Sequence, residues 1–287
     1  MLLALWVSCS LCVDWRPVVL MHGIGADANS MSLPVAWIKA AFPGIYVKNI
    51  EIGNGYWDSF FIKMSDQVDL FASQVREDPN LKRGFNLVGY SQGSLITRGY
   101  IERYNDPPVH NYITWSGPHA GTFGIPVVEW TWLFKDIWDM LYDAEVQQSV
   151  TFAQYWRDPY DLPVYLEVSL YLADLNNERP AKNETYKQNI ISLNNMVLLY
   201  TTVDDTVLPG RSGWFETYAP NDDSKIVPLE ESALFVEDWI GLKVLNTTNR
   251  LHRFSCSCKH NQYPDEICHP TFDLYTLPYL NNTFTDM

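Results

Sequence analysis

A serine flanked by glycines is the part of this sequence that most directly suggests chemistry. Gly89-Tyr90-Ser91-Gln92-Gly93 follows a short apolar run and precedes a stretch with helical spacing. Glycines two positions before and after a serine permit a strained strand-to-helix turn that lifts the serine hydroxyl out of a sheet. The helix that follows points the positive end of its dipole at the same place. We therefore predict that Ser91 is a nucleophile.

A serine hydroxyl is a weak nucleophile, so it requires a histidine to take its proton and an acid to orient that histidine. Where a serine stands in a turn of this kind, the acid follows it in the chain and the histidine follows the acid. Asp204 and Asp205 come just after NMVLLYTT, which has the composition of a late strand. We predict that Asp204 is the acid, and we interpret Asp205 as an ordinary turn carboxylate.

Acyl transfer also needs two backbone N–H groups that stabilise the oxyanion. The N–H of Gln92, directly after the nucleophile, is the first of these in our prediction. The second is assigned to Ile24 in HGIGAD, where Gly23 and Gly25 let the backbone come close to the reacting group. His22 precedes the serine in the chain, so we interpret it as a structural residue of this loop.

The elements that must position these residues alternate between strand and helix. The strand-like runs are PVVLMHG, GIYVKNIEIG, GFNLVGYS, NYITWSG, NMVLLYTT and VLNTTNRLHRF. Between the earlier runs lie helical patterns, and in one of them Val68, Phe71 and Val75 keep the spacing of a helix that lies on a sheet. This alternation predicts a mostly parallel central sheet with helices on both faces. Together with the serine turn and the order of the reactive residues, it indicates an α/β-hydrolase fold.

The alternation breaks in the region from about residue 120 to about residue 194. The early part of this region, VVEWTWLFKDIWDML, crowds together the aromatic residues Trp130, Trp132, Phe134 and Trp138. We interpret the region as a helical cap inserted over the sheet. The alternative is that these aromatic side chains belong to the ordinary core.

Composition and charge limit the classes of protein that fit. The chain has 287 residues, of which 47% are hydrophobic and 14% aromatic, and we predict one domain over residues 14–287. The formal charge of −14 argues against nucleic-acid and anionic-membrane binding, because phosphate-rich surfaces are held by an excess of Lys and Arg.

The first residues form an apolar run that is shorter than the roughly 20 residues needed to span a bilayer. We predict a secretory signal peptide over residues 1–13, although basic residues are missing from its start. The alternative is a buried first strand. Three glycosylation sequons, at Asn183, Asn246 and Asn281, agree with passage through the secretory pathway.

Further stretches, spread from residue 18 to about residue 243, have a specific resemblance to a known family. They are HGIGADANSMS, PGIYVKNIEIGNGYWDSFF, FNLVGYSQGS, GPHAGTFGIP, AQYWRDP, YLADLNNER, VDDTVLPGRSGWF and VPLEESALFVEDWIGLK. Runs such as YWRDP are not general signatures of hydrolases. With these stretches the chain resembles the palmitoyl-protein thioesterases, a family of lysosomal α/β-hydrolases.

The resemblance implies that long-chain fatty acyl thioesters are hydrolysed through an acyl-enzyme. Palmitate would be released from S-acylated cysteines of proteins or peptides, or from palmitoyl-CoA. The resemblance implies neither a metal nor another cofactor, and it implies a location in the lysosome, with secretion as a further destination. We predict no nucleic-acid partner, no obligate protein partner and a monomer. It gives Ser91, Asp204, Ile24 and Gln92 the roles above, and it makes the aromatic insertion, with Trp115 before it, the lining of the fatty-acyl groove.

The C-terminal region departs from the family pattern, and the base must be chosen there. Members of the family place the histidine in a loop after the last strand, a short distance before a proline. His260 and His269 both precede Pro278, whereas His252 lies inside a predicted strand. We predict that His260 is the base, with His269 and then His252 as alternatives.

The same region contains Cys256, Cys258 and Cys268. An oxidising compartment favours a disulfide, and we predict Cys258–Cys268, with Cys256–Cys268 left open. A zinc site is the weaker alternative, because two cysteines separated by one residue are too close for the usual pairs of zinc ligands.

Two other functions remain alternatives. A lipase or carboxylesterase acting on oxygen esters would use the same three residues, because the serine, acid and histidine set does not distinguish sulfur from oxygen. A non-catalytic lipid carrier could keep the same fold, but the intact set of reactive residues argues against it.

Overall fold

A parallel sheet forms the centre of the molecule. The computed structural model describes residues 13–124 and 140–284. Its strands are β1 (Val18–Met21), β2 (Val47–Ile50), β3 (Phe85–Tyr90), β4 (Val109–Trp115), β5 (Asn195–Thr201), β6 (Thr217–Ala219), β7 (Asp222–Val227) and β8 (Leu251–Cys256). The sheet has the order β2-β1-β3-β4-β5-β8, and every neighbouring pair is parallel. The predicted central sheet is therefore confirmed.

Helices cover both faces of this sheet, as predicted. They are α1 (Ser32–Ala41), α2 (Asp58–Phe61), α3 (Met64–Glu77), α4 (Gln92–Arg103), α5 (Ala144–Ser149), α6 (Leu162–Val168), α7 (Leu172–Leu175), α8 (Glu184–Ile191), α9 (Ala233–Val236), α10 (Leu242–Thr247), α11 (His269–Tyr275) and α12 (Leu277–Leu280). Across the described ranges, none of them is long and apolar enough to cross a bilayer.

The core divides into two clusters, one on each face of the sheet. Successive residues of a strand point to opposite faces. Val19 of β1 belongs to the cluster that contains Phe71 of α3. Its neighbour Leu20 belongs to the second cluster, with Trp37 of α1 and Phe272 of α11. Because both faces of the sheet are covered at this strand, β1 is buried and apolar at every position and does not alternate with polar residues.

The last strand-like run of the sequence divides between two elements. VLNTTNRLHRF predicts one strand, whereas helix α10 continues to Thr247 and β8 begins at Leu251. Leu242 and Leu245, three residues apart, are both fully buried, which is the spacing of a helix face. Asn249 then adopts a left-handed φ of 57° between the helix and the strand. The antiparallel β6–β7 hairpin is a further element that the sequence patterns did not predict.

The described part of the region interpreted as a cap contains α5 to α8. Arg98 of α4 connects this region to the helices on the sheet, and its side chain is fully buried. Its guanidinium group donates hydrogen bonds to Asn176 Oδ1 at 2.8 Å and to Glu102 Oε1 at 3.1 Å. Asn176 Nδ2 in turn donates to the carbonyl oxygen of His119 at 3.1 Å. These bonds fix the region against the helix that follows Ser91.

Candidate active site

The turn after β3 holds Ser91 in a conformation that few residues other than glycine adopt. Ser91 has φ 52° and ψ −127° and is the N-cap of α4. A Cβ on Gly89 would lie 2.4 Å from Thr97 Oγ1, and one on Gly93 would lie 2.2 Å from the carbonyl oxygen of His22. The two glycines are therefore required for the close packing of this strained turn.

Ser91, His260 and Asp204 are joined by hydrogen bonds. His260 Nε2 lies 2.9 Å from Ser91 Oγ, and His260 Nδ1 lies 3.0 Å from Asp204 Oδ2. The three side chains are nearly inaccessible to solvent. Ser91 follows the carboxyl end of β3, Asp204 that of β5 and His260 that of β8. Because these strands are parallel, their carboxyl ends lie at one edge of the sheet. This arrangement can move a proton from the serine hydroxyl to the histidine ring.

Tyr90 holds His260 in place. His260 begins the short 3-10 helix His260–Gln262 after β8, and its carbonyl oxygen accepts a hydrogen bond from Tyr90 Oη at 2.8 Å. The two rings are 5.5 Å apart between centroids. The sequence pattern treats Tyr90 only as a variable position before the serine, so its contact with His260 was missed. The signal that could have indicated this contact was the aromatic residue directly before the predicted nucleophile.

The backbone around Asp204 stabilises its carboxylate. Asp204 Oδ1 accepts hydrogen bonds from the N–H groups of Val207 at 2.8 Å and Thr206 at 3.0 Å. Burial raises the pKa of Asp204, but His260 and these N–H groups outweigh burial and hold the pKa below its usual value of 3.8. The carboxylate therefore stays ionised at mildly acidic pH. Asp205 lies 3.4 Å from Thr206 Oγ1, in the turn that the sequence predicts.

Ile24 and Gln92 both lie beside the nucleophile. Ile24 and Ser91 line the same pocket, and Gln92 is the first residue of α4. A Cβ on Gly23 would lie 2.9 Å from Ser91 Cβ, so only glycine lets this loop approach so closely. Within residues 13–124 and 140–284, the backbone N–H groups of Ile24 and Gln92 donate to no protein acceptor. Two such donors are what a developing oxyanion requires.

An apolar pocket opens beside Ser91. Its described lining consists of Ile24, Ser91, Pro118, Thr122, Gly124, Phe152, Tyr155, Trp156, Thr206 and Val207. Phe152, Tyr155 and Trp156 belong to the run TFAQYWRDP. Its AQYWRDP part contributes to the family resemblance, but no binding role was predicted for it. Its cluster of aromatic residues was the signal that could have identified this wall of the pocket.

The residues that we predicted to contact substrate are not among the described lining of this pocket. Four of these residues, Trp130, Trp132, Phe134 and Trp138, lie outside the described residues. Trp115 is buried in β4, where its indole N–H donates to Thr276 Oγ1 at 2.9 Å and its ring stacks on Tyr263. Trp115 belongs to one core cluster and Phe152 to the other. The structure therefore separates Trp115 from the described pocket lining.

The alternative histidines have different surroundings. His269 stacks on Trp37 with ring centroids 4.3 Å apart, and its Nε2 lies 3.5 Å from Asp273 Oδ1. His252 Nε2 lies 2.8 Å from Asn195 Oδ1 within the sheet. Both rings therefore have local partners away from the serine turn.

A disulfide closes the loop that carries His260. Cys258 is bonded to Cys268, with Cα atoms 6.1 Å apart. Cys256 is a free thiol whose Sγ lies 3.3 Å from Tyr263 Oη. Among the residues that the structure describes, no group of three or more His, Cys, Asp or Glu side chains is arranged to hold a metal ion.

Removing the disulfide should destabilise the protein. The double variant Cys258→Ser/Cys268→Ser frees a loop with a sequence separation of 10, so the free energy of unfolding should fall by about 3 kcal/mol. Urea denaturation followed by tryptophan fluorescence measures this change. Cys256→Ser is the matched control and should cost less than about 1 kcal/mol, because serine can keep the bond to Tyr263. Equal unfolding midpoints for the double variant and the wild type would refute the stabilising role.

The features linked to secretion are only partly within the described residues. The sequon asparagines Asn183, Asn246 and Asn281 all have exposed side chains. Asn183 also caps α8 by accepting a hydrogen bond from the N–H of Thr185 at 3.0 Å. Of the predicted signal peptide, residues 1–12 lie outside the described residues.

The sheet order, the serine turn and the hydrogen-bonded residues around it define the class of protein, which is an α/β-hydrolase. A solved hydrolase shares this fold: 2-hydroxy-6-oxo-6-phenylhexa-2,4-dienoate hydrolase from Rhodococcus sp. strain RHA1. The TM-score is 0.51 at 14% identity, and the match covers 93% of this chain and 91% of that chain. At this identity the likeness concerns the fold alone.

Comparison of the sequence with known proteins identifies the family. The family model described as palmitoyl protein thioesterase matches residues 17–260, so the chain belongs to that family. Palmitoyl-protein thioesterase 3 from Dictyostelium discoideum is 45% identical over 283 residues, covering 98% of each chain. Palmitoyl-protein thioesterase 1 from Caenorhabditis elegans is 34% identical over 264 residues, covering 88% of each. The lysosomal thioesterase PPT2 homolog from Drosophila melanogaster is 30% identical over 251 residues, covering 85% of each. The family inferred from the sequence is confirmed.

Proposed function

We propose that this protein is a serine-dependent thioesterase that removes long-chain fatty acyl groups, above all palmitate, from S-acylated cysteines of proteins or peptides. The hydrogen bond of 2.9 Å between Ser91 Oγ and His260 Nε2, beside an apolar pocket, is the observation that carries this proposal. Acyl-CoA contains the same thioester and belongs to the same substrate class. The names of the relatives from Dictyostelium and Caenorhabditis support palmitoyl-protein as the substrate.

The first half of the proposed reaction forms an acyl-enzyme. Ser91 Oγ attacks the thioester carbonyl carbon while its proton passes to His260 Nε2. The negative charge on the carbonyl oxygen is received by the N–H groups of Ile24 and Gln92, and Asp204 stabilises the positively charged ring. The C–S bond then breaks, and the sulfur takes the proton from His260 Nε2 and leaves as a thiol, so that His260 is neutral again. The fatty acyl group remains on Ser91 as an ester.

The second half releases the fatty acid. A water molecule gives a proton to His260 Nε2 and attacks the acyl-Ser91 carbonyl through the same oxyanion site. When the ester bond breaks, Ser91 Oγ takes back the proton, and the fatty acid departs. A thiolate is a better leaving group than an alkoxide, so proton donation matters less in the first half than in this second half.

The apolar pocket supports the choice of a long acyl chain. Ile24, Phe152, Trp156 and Val207 line it with aliphatic and aromatic surface. Each buried methylene contributes about 0.8 kcal/mol, so a chain can be bound without a charged contact. Contact of the acyl chain with Trp130, Trp132, Phe134 and Trp138 stays a prediction of this proposal.

Chain length and leaving atom should both affect the rate. We expect the kcat/KM for palmitoyl-CoA to exceed that for octanoyl-CoA by at least about tenfold, because eight further methylenes can be buried. Steady-state assays of free CoA release measure both values. p-Nitrophenyl palmitate, with the same chain on an oxygen ester, is the matched control. A much larger kcat/KM for that ester than for palmitoyl-CoA would refute the thioesterase and favour a carboxylesterase.

We further propose that the enzyme acts in the lysosome after passing through the secretory pathway. The exposed sequons and the Cys258–Cys268 disulfide support an oxidising route. The relative from Drosophila is named as a lysosomal thioesterase. The lowered pKa of Asp204 suits an acidic compartment, because the carboxylate stays charged there. The proposed chemistry uses groups of one chain and needs no cofactor, so a monomer remains our prediction.

A further inference from the structure

We propose that Ser59 is a positioning residue for the oxyanion site, holding Ile24 through its hydroxyl group and Gln92 through its carbonyl group. The inference rests on the proposed function, in which the backbone N–H groups of both residues stabilise the oxyanion. Ser59 lies in α2, is 2% exposed and is not among the described residues that line the pocket. It therefore acts through its neighbours rather than by touching substrate.

The hydroxyl group of Ser59 fixes one side of Ile24. It accepts a hydrogen bond from the N–H of Gly25 at 2.8 Å and donates one to the carbonyl oxygen of Tyr56 at 2.6 Å. Because the hydroxyl both donates and accepts, its orientation is determined. Gly25 has a left-handed φ of 64° and directly follows Ile24. The bond to Ser59 thus sets the backbone at the C-terminal side of Ile24.

His22 fixes the other side of Ile24. His22 Nδ1 lies 2.8 Å from the carbonyl oxygen of Gly23, and His22 Nε2 lies 3.1 Å from Glu51 Oε1. The carbonyl group of Gly23 and the N–H of Ile24 belong to one planar peptide group, so fixing the first orients the second. Ser59 completes this arrangement, because the loop is then held on both sides of the donor.

The carbonyl oxygen of Ser59 holds the second donor residue. It accepts hydrogen bonds from Gln92 Nε2 at 2.8 Å and from Thr151 Oγ1 at 2.9 Å. The other end of the same amide, Gln92 Oε1, accepts from Tyr155 Oη at 3.1 Å. Gln92 is buried and follows Ser91 directly, so its locked side chain restrains the first turn of α4. One residue therefore connects both halves of the oxyanion site.

This connection should matter for the transition state and not for the bound substrate. An oxyanion is stabilised when its donors lie about 2.7–3.1 Å from the charged oxygen. A misplacement of about 1 Å can lower the rate roughly 100-fold. The acyl chain, by contrast, is bound by apolar surface that does not depend on the Ser59 hydroxyl. Loss of this hydroxyl should therefore lower kcat and leave KM nearly unchanged.

Ser59→Ala tests the inference. We expect kcat on palmitoyl-CoA to fall about 10- to 100-fold, with KM within about twofold of the wild type. A long-chain trifluoromethyl ketone forms a charged tetrahedral adduct with a serine, so its inhibition constant should rise by the same factor as kcat falls. The inhibition constant of palmitate should stay the same. Ser59→Thr restores the hydroxyl group and should recover most of the lost rate.

Ser169→Ala is the matched control. Ser169 is equally buried, and its hydroxyl also accepts from a backbone N–H, that of Ala173, and donates to a backbone carbonyl, that of Gln154. Loss of the Ser169 hydroxyl group should lower the stability of the protein but leave kcat unchanged. A wild-type kcat for Ser59→Ala, or equal weakening of the ketone and of palmitate, would overturn the inference. A kcat for Ser91→Ala close to that of the wild type would instead overturn the proposed function, independently of Ser59.

Discussion

Ser91→Ala should lower kcat on palmitoyl-CoA by about 10⁴- to 10⁶-fold. The loss is this large because Ser91 Oγ is the atom that becomes acylated in the proposed reaction, and His260 Nε2, 2.9 Å away, is placed to take its proton. The rate that remains would come from the oxyanion donors and from substrate binding alone. Palmitate binding, followed by calorimetry, should change little, since the apolar lining stays intact.

Covalent labelling separates this role from a folding defect. A fluorophosphonate probe should modify the wild type on the peptide that contains Ser91, and Ser91→Ala should abolish the label. Ser94→Ala is the matched control, because Ser94 is fully buried in the same helix and its hydroxyl group has no hydrogen-bond partner among the described residues. A wild-type protein that never reacts with the probe would favour a non-catalytic lipid carrier.

His260→Ala should cause a loss of kcat of similar size, about 10⁴- to 10⁶-fold, because a serine without its base loses nearly all its reactivity. His260 bonds both Ser91 and Asp204, at 2.9 and 3.0 Å. His269→Ala is the control within the same loop region and should change kcat by no more than about threefold, since it removes a ring stacked on Trp37. Steady-state assays on palmitoyl-CoA measure all the variants.

His252→Ala extends the series to the third candidate histidine. It should lower stability modestly through loss of the contact with Asn195 Oδ1, and it should keep most of kcat. Loss of activity confined to His269→Ala would refute the assignment of His260. Loss confined to His252→Ala would do the same.

The sheet and the serine turn could be predicted because their signals are local or repeated. The conformation of Ser91 depends on a short segment in which Gly89 and Gly93 remove the side chains that would clash. The inner strands β1 and β3 are buried at every position, so their apolar runs are recognisable without any long-range information. The run VLNTTNRLHRF, which includes Leu245, is the exception, since the few apolar residues at its start fit a strand or a helix equally well.

The residues that line the pocket could not be predicted from the sequence, because they are brought together by long-range packing and not by a local pattern. β4 is buried on both faces, and its residue pattern does not indicate which face lies toward the site. Trp115 was predicted to line the pocket, whereas it packs on Tyr263 in the core. Tyr155 and Trp156 reach the pocket only through the path of the chain between β4 and β5. That path depends on buried hydrogen bonds such as Arg98 to Asn176, which no local pattern reveals.

The three hydrogen-bonded residues are far apart along the chain. Ser91 and His260 are separated by 169 positions, and Asp204 and His260 by 56. Contacts of such long range form late in folding, because the chain entropy of closing large loops must be overcome first. His260 follows β8, which pairs with β5 at the edge of the sheet. In the proposed mechanism, a partly synthesised chain would therefore carry the serine turn without its base, and we expect it to be inert toward acyl groups until its last strand has docked.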